Sequence, residues 1–152
     1  MKKYYLAYGS NLNLTQMLRR CPTAKVVGKT TLQDHRLVFK GKGNTGFLTI
    51  EEVPGSTVPV GVFEITEFDE ANLDGYEGYP TFYDKKYIEI EINNQKHQAL
   101  TYVMNPNFHY ALPSMDYLHT CSMGYIDFNF NRDILFRALE NSLNNQEKRL
   151  IK

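Results

Sequence analysis

The stretch Gly41-Lys42-Gly43-Asn44-Thr45-Gly46-Phe47-Leu48-Thr49-Ile50-Glu51 decides the fold. Its first six residues match the GxGxxG spacing of dinucleotide-binding loops. That fingerprint requires a helix to follow, so that a pyrophosphate rests on the helix N-terminus. Here Phe47, Thr49 and Glu51 alternate with Leu48 and Ile50, which is the period-two pattern of a strand. The glycines therefore read as a hairpin loop and not as a nucleotide site. Working outward, residues 24–30, 32–40, 47–53 and 58–65 read as four strands punctuated by Gly, Pro and Asn. An earlier strand covers residues 3–8. Asn13 then reads as an N-cap with Gln16 in capping-box position, Leu14, Met17, Leu18 and Cys21 follow at helical spacing, and Pro22 ends the helix. Thr66 caps a short helix containing Phe68 and Leu73. Residues 83–92 and 97–104 form two more strands joined at Asn93-Asn94. Ser114 caps a helix bearing Tyr117, Leu118 and Cys121, and a last helix runs from Asp133 to about Leu143.

Strands crowd the middle and do not alternate with helices, which argues against a doubly wound parallel sheet. The expected fold is α+β, with a small mixed, closed or strongly curved β-barrel flanked by short helices. About seven short strands in a chain this small favour closure, which removes exposed sheet edges. No repeat or linker divides the 152 residues, so residues 1–152 are expected to form one domain.

Lys plus Arg and Asp plus Glu both number 17, and this balance gives no electrostatic basis for nucleic-acid binding. The basic group Lys148, Arg149 and Lys152 reads as a solvated helix end. The apolar run after Met1-Lys2-Lys3 is too short for a signal peptide or a membrane span, so a cytoplasmic protein is expected. Cys21 and Cys121 read as reduced thiols. His35, His97, His109 and His119 lack metal-ligand spacing, and no metal site is expected.

Two segments carry chemistry. The strand Tyr4-Tyr5-Leu6-Ala7-Tyr8 runs into Gly9-Ser10-Asn11-Leu12, a strand-to-turn junction whose backbone N–H groups suit an anion or a developing oxyanion. Ser10 lacks a GxSxG elbow and reads as a donor in that cradle. The second segment, Leu73-Asp74-Gly75-Tyr76-Glu77-Gly78-Tyr79-Pro80, sets one carboxylate among aromatics and glycines with no neighbouring cation to hold its pKa down. Together they point to proton transfer on a small polar substrate.

Ala7-Tyr8-Gly9-Ser10-Asn11-Leu12, the Leu73–Pro80 segment, Tyr83, Leu112-Pro113-Ser114 with Tyr117, and Gly124-Tyr125 occur in an order that resembles the γ-glutamylcyclotransferase-like family, which includes AIG2-like proteins. The resemblance implies a small β-barrel flanked by helices and a cofactor-free reaction. In it, the α-amine of a γ-glutamyl group attacks its own side-chain carbonyl, giving 5-oxoproline and a free amine. By resemblance Glu77 is the acid/base glutamate, Tyr5, Leu6, Ala7, Tyr8, Gly9, Ser10 and Asn11 hold the glutamyl moiety, Tyr117 contacts it, and Tyr83 and Tyr102 border the pocket. The partner implied is a small γ-glutamyl substrate, with the protein a monomer or small homo-oligomer. The loop matches neither the glutathione-specific nor the γ-glutamylamine-specific branch, which leaves the leaving group open. The alternative is a non-catalytic γ-glutamyl-binding or interaction protein of the same fold; hydrolysis of γ-glutamyl compounds is a third reading.

Overall fold

A computed structural model describes residues 2–151, with side chains described for residues 2–146. The elements run β1 (Lys3–Ala7), a 3₁₀ turn (Ser10–Leu12), α1 (Leu14–Arg20), β2 (Lys25–Gly41), β3 (Phe47–Ile65), α2 (Glu67–Glu77), β4 (Tyr83–Ile92), β5 (Gln95–Met104), β6 (His109–Tyr110), α3 (Met115–Asp127) and α4 (Asp133–Ile151). One six-stranded sheet has the order β4-β5-β1-β3-β2-β6. It is mixed: β1 pairs antiparallel with β3 and parallel with β5. The sheet curls into a half-barrel with β4 and β6 at its edges. The α+β reading and the strong curvature hold. The basic group Lys148, Arg149 and Lys152 lies outside the described side chains.

Four expected strands prove to be two long ones. β2 has 17 residues and β3 has 19. A straight strand of β3's length would span about 60 Å, whereas a compact chain of this size has a radius of gyration of about 15 Å. The hairpin must therefore bend. It does so where the pairing slips between Gln33↔Thr57 and His35↔Glu52. There Asp34 and Gly55 adopt positive φ (59° and 87°), and Asp34 Oδ1 accepts a 2.9 Å bond from the Gly55 amide. Pro54-Gly55-Ser56, which separates two of the expected strands, is a bulge inside β3. The Gly41–Gly46 loop is the β2–β3 hairpin connection, as expected.

Most local signals elsewhere behave as read, although of the expected capping box at α1 only the Asn13 side-chain half forms, because the Asn13 amide bonds to the Ser10 carbonyl. Asn13 accepts from the Gln16 amide at 3.2 Å, and Ser114 accepts from the Tyr117 amide at 3.1 Å. Thr66 and Asp69 form a reciprocal capping box at the start of α2. Asn93 and Asn94 both have positive φ (51° and 64°), the geometry of a two-residue hairpin turn. The final helix continues past Leu143, and the two-residue strand β6, paired with β2, carries no pattern that a sequence reading can detect.

β1 lies in the middle of the sheet and delivers its C-terminal end to the 3₁₀ turn, which α3 covers. Asn13 Nδ2 donates to the Thr120 carbonyl at 3.2 Å, and the Leu14 amide donates to Asp127 at 2.9 Å. The approach is close because α3 presents Gly124: a Cβ there would fall 2.6 Å from the Asn13 nitrogen and 2.7 Å from the Leu12 carbonyl carbon. Helix propensity alone says that Gly→Ala in a helix stabilises by roughly 1 kcal/mol. The Gly75→Ala change in α2, where a Cβ would meet open space, is expected to follow that sign. Gly124→Ala is expected to reverse it, costing about 1–3 kcal/mol by overpacking and lowering the thermal midpoint by several degrees. Thermal denaturation of the two variants side by side checks this.

Candidate active site

A cavity of about 160 Å³ opens where the end of β1, the 3₁₀ turn, the end of α2 and the start of β3 meet. Its lining divides in two. Tyr5, Tyr8, Gly9, Ser10, Asn11, Tyr76, Glu77 and Tyr102 form a polar part, and Phe47, Leu48, Phe82, Tyr83 and Tyr117 form a mainly aromatic part. Nine of the eleven residues singled out in the sequence thus line one space. Leu6 and Ala7 do not: Leu6 faces a separate groove between β2 and β4, and Ala7 is fully buried in the core. Strand alternation turns Leu6 to the face opposite Tyr5, whereas Ala7, on Tyr5's face, is taken up by the core.

Glu77 is the last residue of α2, and Gly78 ends the helix in the left-handed conformation at φ 66°. Its carboxyl is pushed up to about 7, because burial disfavours the charged form and outweighs the opposing pull of Arg20. The negative pole of α2 acts in the same direction. Arg20 corrects the sequence reading that no cation lies near this carboxylate. It comes from the end of α1, 57 positions away by the difference of the two numbers, and nothing in the local sequence around Glu77 signals it.

Arg20 also organises the polar part. Its guanidinium donates to Asn11 Oδ1 and stacks 3.3 Å from the Tyr76 ring centroid. Because a guanidinium only donates, the Asn11 amide must present its oxygen to Arg20 and its nitrogen to the cavity. Asn11 Nδ2 accordingly donates to the Tyr5 hydroxyl at 2.9 Å and lies 3.5 Å from Glu77 Oε1, the outer limit of a hydrogen bond. The Ser10 hydroxyl and the Tyr76 hydroxyl are 2.8 Å apart. In the 3₁₀ turn the Leu12 and Asn13 amides bond back to Gly9 and Ser10, and the first amides of such a turn have no partner within it.

The tyrosines fall into two classes by where their protons go. Tyr8 donates to the Tyr102 carbonyl at 2.5 Å, Tyr83 to the Leu48 carbonyl at 2.7 Å, and Tyr102 to Asp74 Oδ1 at 2.5 Å. Tyr5 accepts from Asn11, and Tyr117 accepts from the Leu48 amide at 3.0 Å. Those two keep a proton to donate, Tyr5 beside Glu77 and Tyr117 close to the Cys121 thiol. Burial holds the phenols of all five above their ordinary range, so they act as neutral donors. Cys21 and Cys121 are free and buried, with thiols pushed up to about 12 by that burial. Among the described residues no group of three or more His, Cys, Asp or Glu side chains is placed to hold a metal, and no helix is long and apolar enough to cross a membrane.

The family model described as gamma-glutamyl cyclotransferase, AIG2-like, matches residues 5–119. The chain is 32% identical over 131 residues to a human protein named gamma-glutamylcyclotransferase, covering 79% of this chain and 68% of that protein. The bovine protein of the same name is 32% identical over 132 residues with the same coverage. A solved structure titled gamma-glutamyl cyclotransferase superposes with a TM-score of 0.79 at 25% identity, covering 91% of this chain and 86% of the other. A crystal structure of an uncharacterized Homo sapiens protein superposes with a TM-score of 0.74 at 25% identity, covering 95% and 86%. The chain belongs to the γ-glutamyl cyclotransferase, AIG2-like family.

The raised carboxyl has a consequence for stability. Folded Glu77 holds its proton to about pH 7, whereas an unperturbed glutamate releases it near 4.5. Between those values the folded state binds more protons, so stability falls as pH rises through the window. Glu77→Gln removes that penalty. The variant is expected to gain on the order of 1–3 kcal/mol over wild type on going from pH 4.5 to pH 8, seen as a thermal-midpoint advantage that grows by several degrees. An advantage equal at both pH values would contradict the buried-carboxyl account.

Proposed function

We propose that this protein is a γ-glutamylcyclotransferase in which Glu77 is the general acid and base. The observation that carries the reading is a carboxyl raised to about 7 on the wall of a small, donor-rich cavity in a protein of this family. An ordinary glutamate near 4.3 facing an amine near 8 leaves about 5 kcal/mol of uphill proton transfer. At about 7 the mismatch falls to roughly one unit, near 1.4 kcal/mol. Desolvation of one carboxylate thus brings a weak base into the useful range.

The α-nitrogen of the glutamyl group attacks the γ-carbonyl carbon and forms the ring amide. The bond from that carbon to the leaving nitrogen breaks. Across the reaction the α-ammonium gives up two protons and the leaving nitrogen gains two, so no outside reactant is consumed. Glu77 carries these protons singly between two nitrogens that the ring closure itself brings together. Tyr5, Tyr117 and the first amides of the Gly9–Asn11 turn supply neutral donors for the α-carboxylate and for the oxyanion on the γ-carbonyl. Asn11, fixed by Arg20, sets the place of Glu77 and Tyr5 relative to each other. A cavity of about 160 Å³ is smaller than the roughly 300–1,000 Å³ typical of sites that enclose drug-sized ligands. That size suits enclosure of the glutamyl end alone.

Incubation with γ-glutamyl amino acids and amines, followed by mass spectrometry, tests the reading. Wild type is expected to release 5-oxoproline and the free amine, and Glu77→Gln to lose about 10²–10⁴-fold in kcat. Free glutamate as the product would indicate hydrolysis. Binding without any product would indicate a binding protein of the same fold. Full activity in Glu77→Gln would remove Glu77 from its role.

A further inference from the structure

The aromatic part of the cavity lies where the leaving group must pass. Glu77 has to reach the leaving nitrogen to protonate it, so whatever that nitrogen carries begins within a few ångströms of Glu77. The side chain held at that place is Phe82. Its amide donates to the Gly78 carbonyl at 2.8 Å, directly after Glu77, and its Cβ lies 3.3 Å from where a Gly78 Cβ would be. Phe82 is the centre of a chain of edge-on ring contacts: 5.8 Å to Phe47, 4.8 Å to Phe108 and 5.0 Å to Tyr83, with Phe47 a further 5.0 Å from Tyr117. Phe47, Phe82 and Phe108 are each only half-buried, and the first two line the cavity.

Half-buried rings of this kind are a surface that an apolar group covers favourably and a polar one does not. With the glutamyl end in the polar part of the cavity, the part beyond the scissile bond meets these rings. Resting on the cyclotransferase reading above, we infer that the leaving group is an amine or amino acid with an apolar, preferably aromatic, side chain, selected by Phe82 together with Phe47 and Phe108. The tripeptide glutathione, whose leaving group is a small polar dipeptide, is disfavoured by the same surface.

Two measurements in parallel test this. Calorimetric titration of Glu77→Gln with γ-glutamylphenylalanine, γ-glutamylglycine and glutathione reads binding without turnover, and product formation by wild type with the same three compounds reads selectivity in kcat/KM. The phenylalanine conjugate is expected to bind and react at least about tenfold better than the other two. Phe82→Ala should collapse that ratio to within about twofold, and Phe82→Leu should retain part of it. Circular dichroism establishes that both variants fold. Equal binding of the three compounds overturns the inference, even where 5-oxoproline is formed. Selective binding that Phe82→Ala abolishes supports it even where wild type makes no 5-oxoproline, in which case the cyclisation reading alone fails. A ratio unchanged by Phe82→Ala also overturns it.

Discussion

Keeping one carboxyl away from bulk water governs how the cavity of this protein is assembled. Glu77 ends a helix, where the backbone dipole already opposes a negative charge, and its half-buried side chain lies on the cavity wall, where desolvation holds its carboxyl above the ordinary range. A cation within reach would ordinarily undo that arrangement. Arg20 is within reach, yet its guanidinium is engaged by Asn11 and by the face of Tyr76, so it offsets the desolvation only in part. The outcome is a carboxyl near neutrality and not one fixed in either charge state.

The rest of the fold holds the two sides of that carboxyl in place. The capping box at Thr66 and Asp69 anchors the start of α2, and Lys85 ties its flank through Glu70 and Asp74. Opposite, Gly124 lets α3 press on the turn that carries Ser10 and Asn11. A composition of eleven tyrosines and no tryptophan then acquires a physical sense. Phenols are bulky enough to wall the cavity and can be spent either on the scaffold or on a ligand. Tyr8, Tyr83 and Tyr102 give their protons to the protein, while Tyr5 and Tyr117 accept from it and retain theirs.

What was legible in the sequence was local. Asn13, Thr66, Ser114 and the Asn93-Asn94 pair each act over three or four residues, and each forms the cap or turn that its chemistry implies. The two long strands were not legible as such. Gly and Pro near positions 54–59 end a strand or bend one with the same residues, and only the continued pairing with β2 decides between the two. For the same reason closure of the sheet could not be read, since edges are a property of neighbours. In the candidate site, Glu77 and the turn stood out because each is surrounded by unusual neighbours in the chain. Arg20, Phe47 and Phe82 did not, because their meaning comes from contacts across the fold. Leu6 and Ala7 belong to the same continuous motif, yet Leu6 faces the opposite side of β1 and Ala7 is buried in the core.

The ionisation of Glu77 itself tests the account most directly. Carbon-13 labelling of glutamate side-chain carboxyls, with the Glu77 resonance assigned by its loss in Glu77→Gln, allows its titration to be followed by NMR from pH 3 to pH 9. The account predicts a midpoint near 7. A midpoint of about 4–5, that of a solvated glutamate, would contradict it, because the carboxyl would then face water and have no special power as a base.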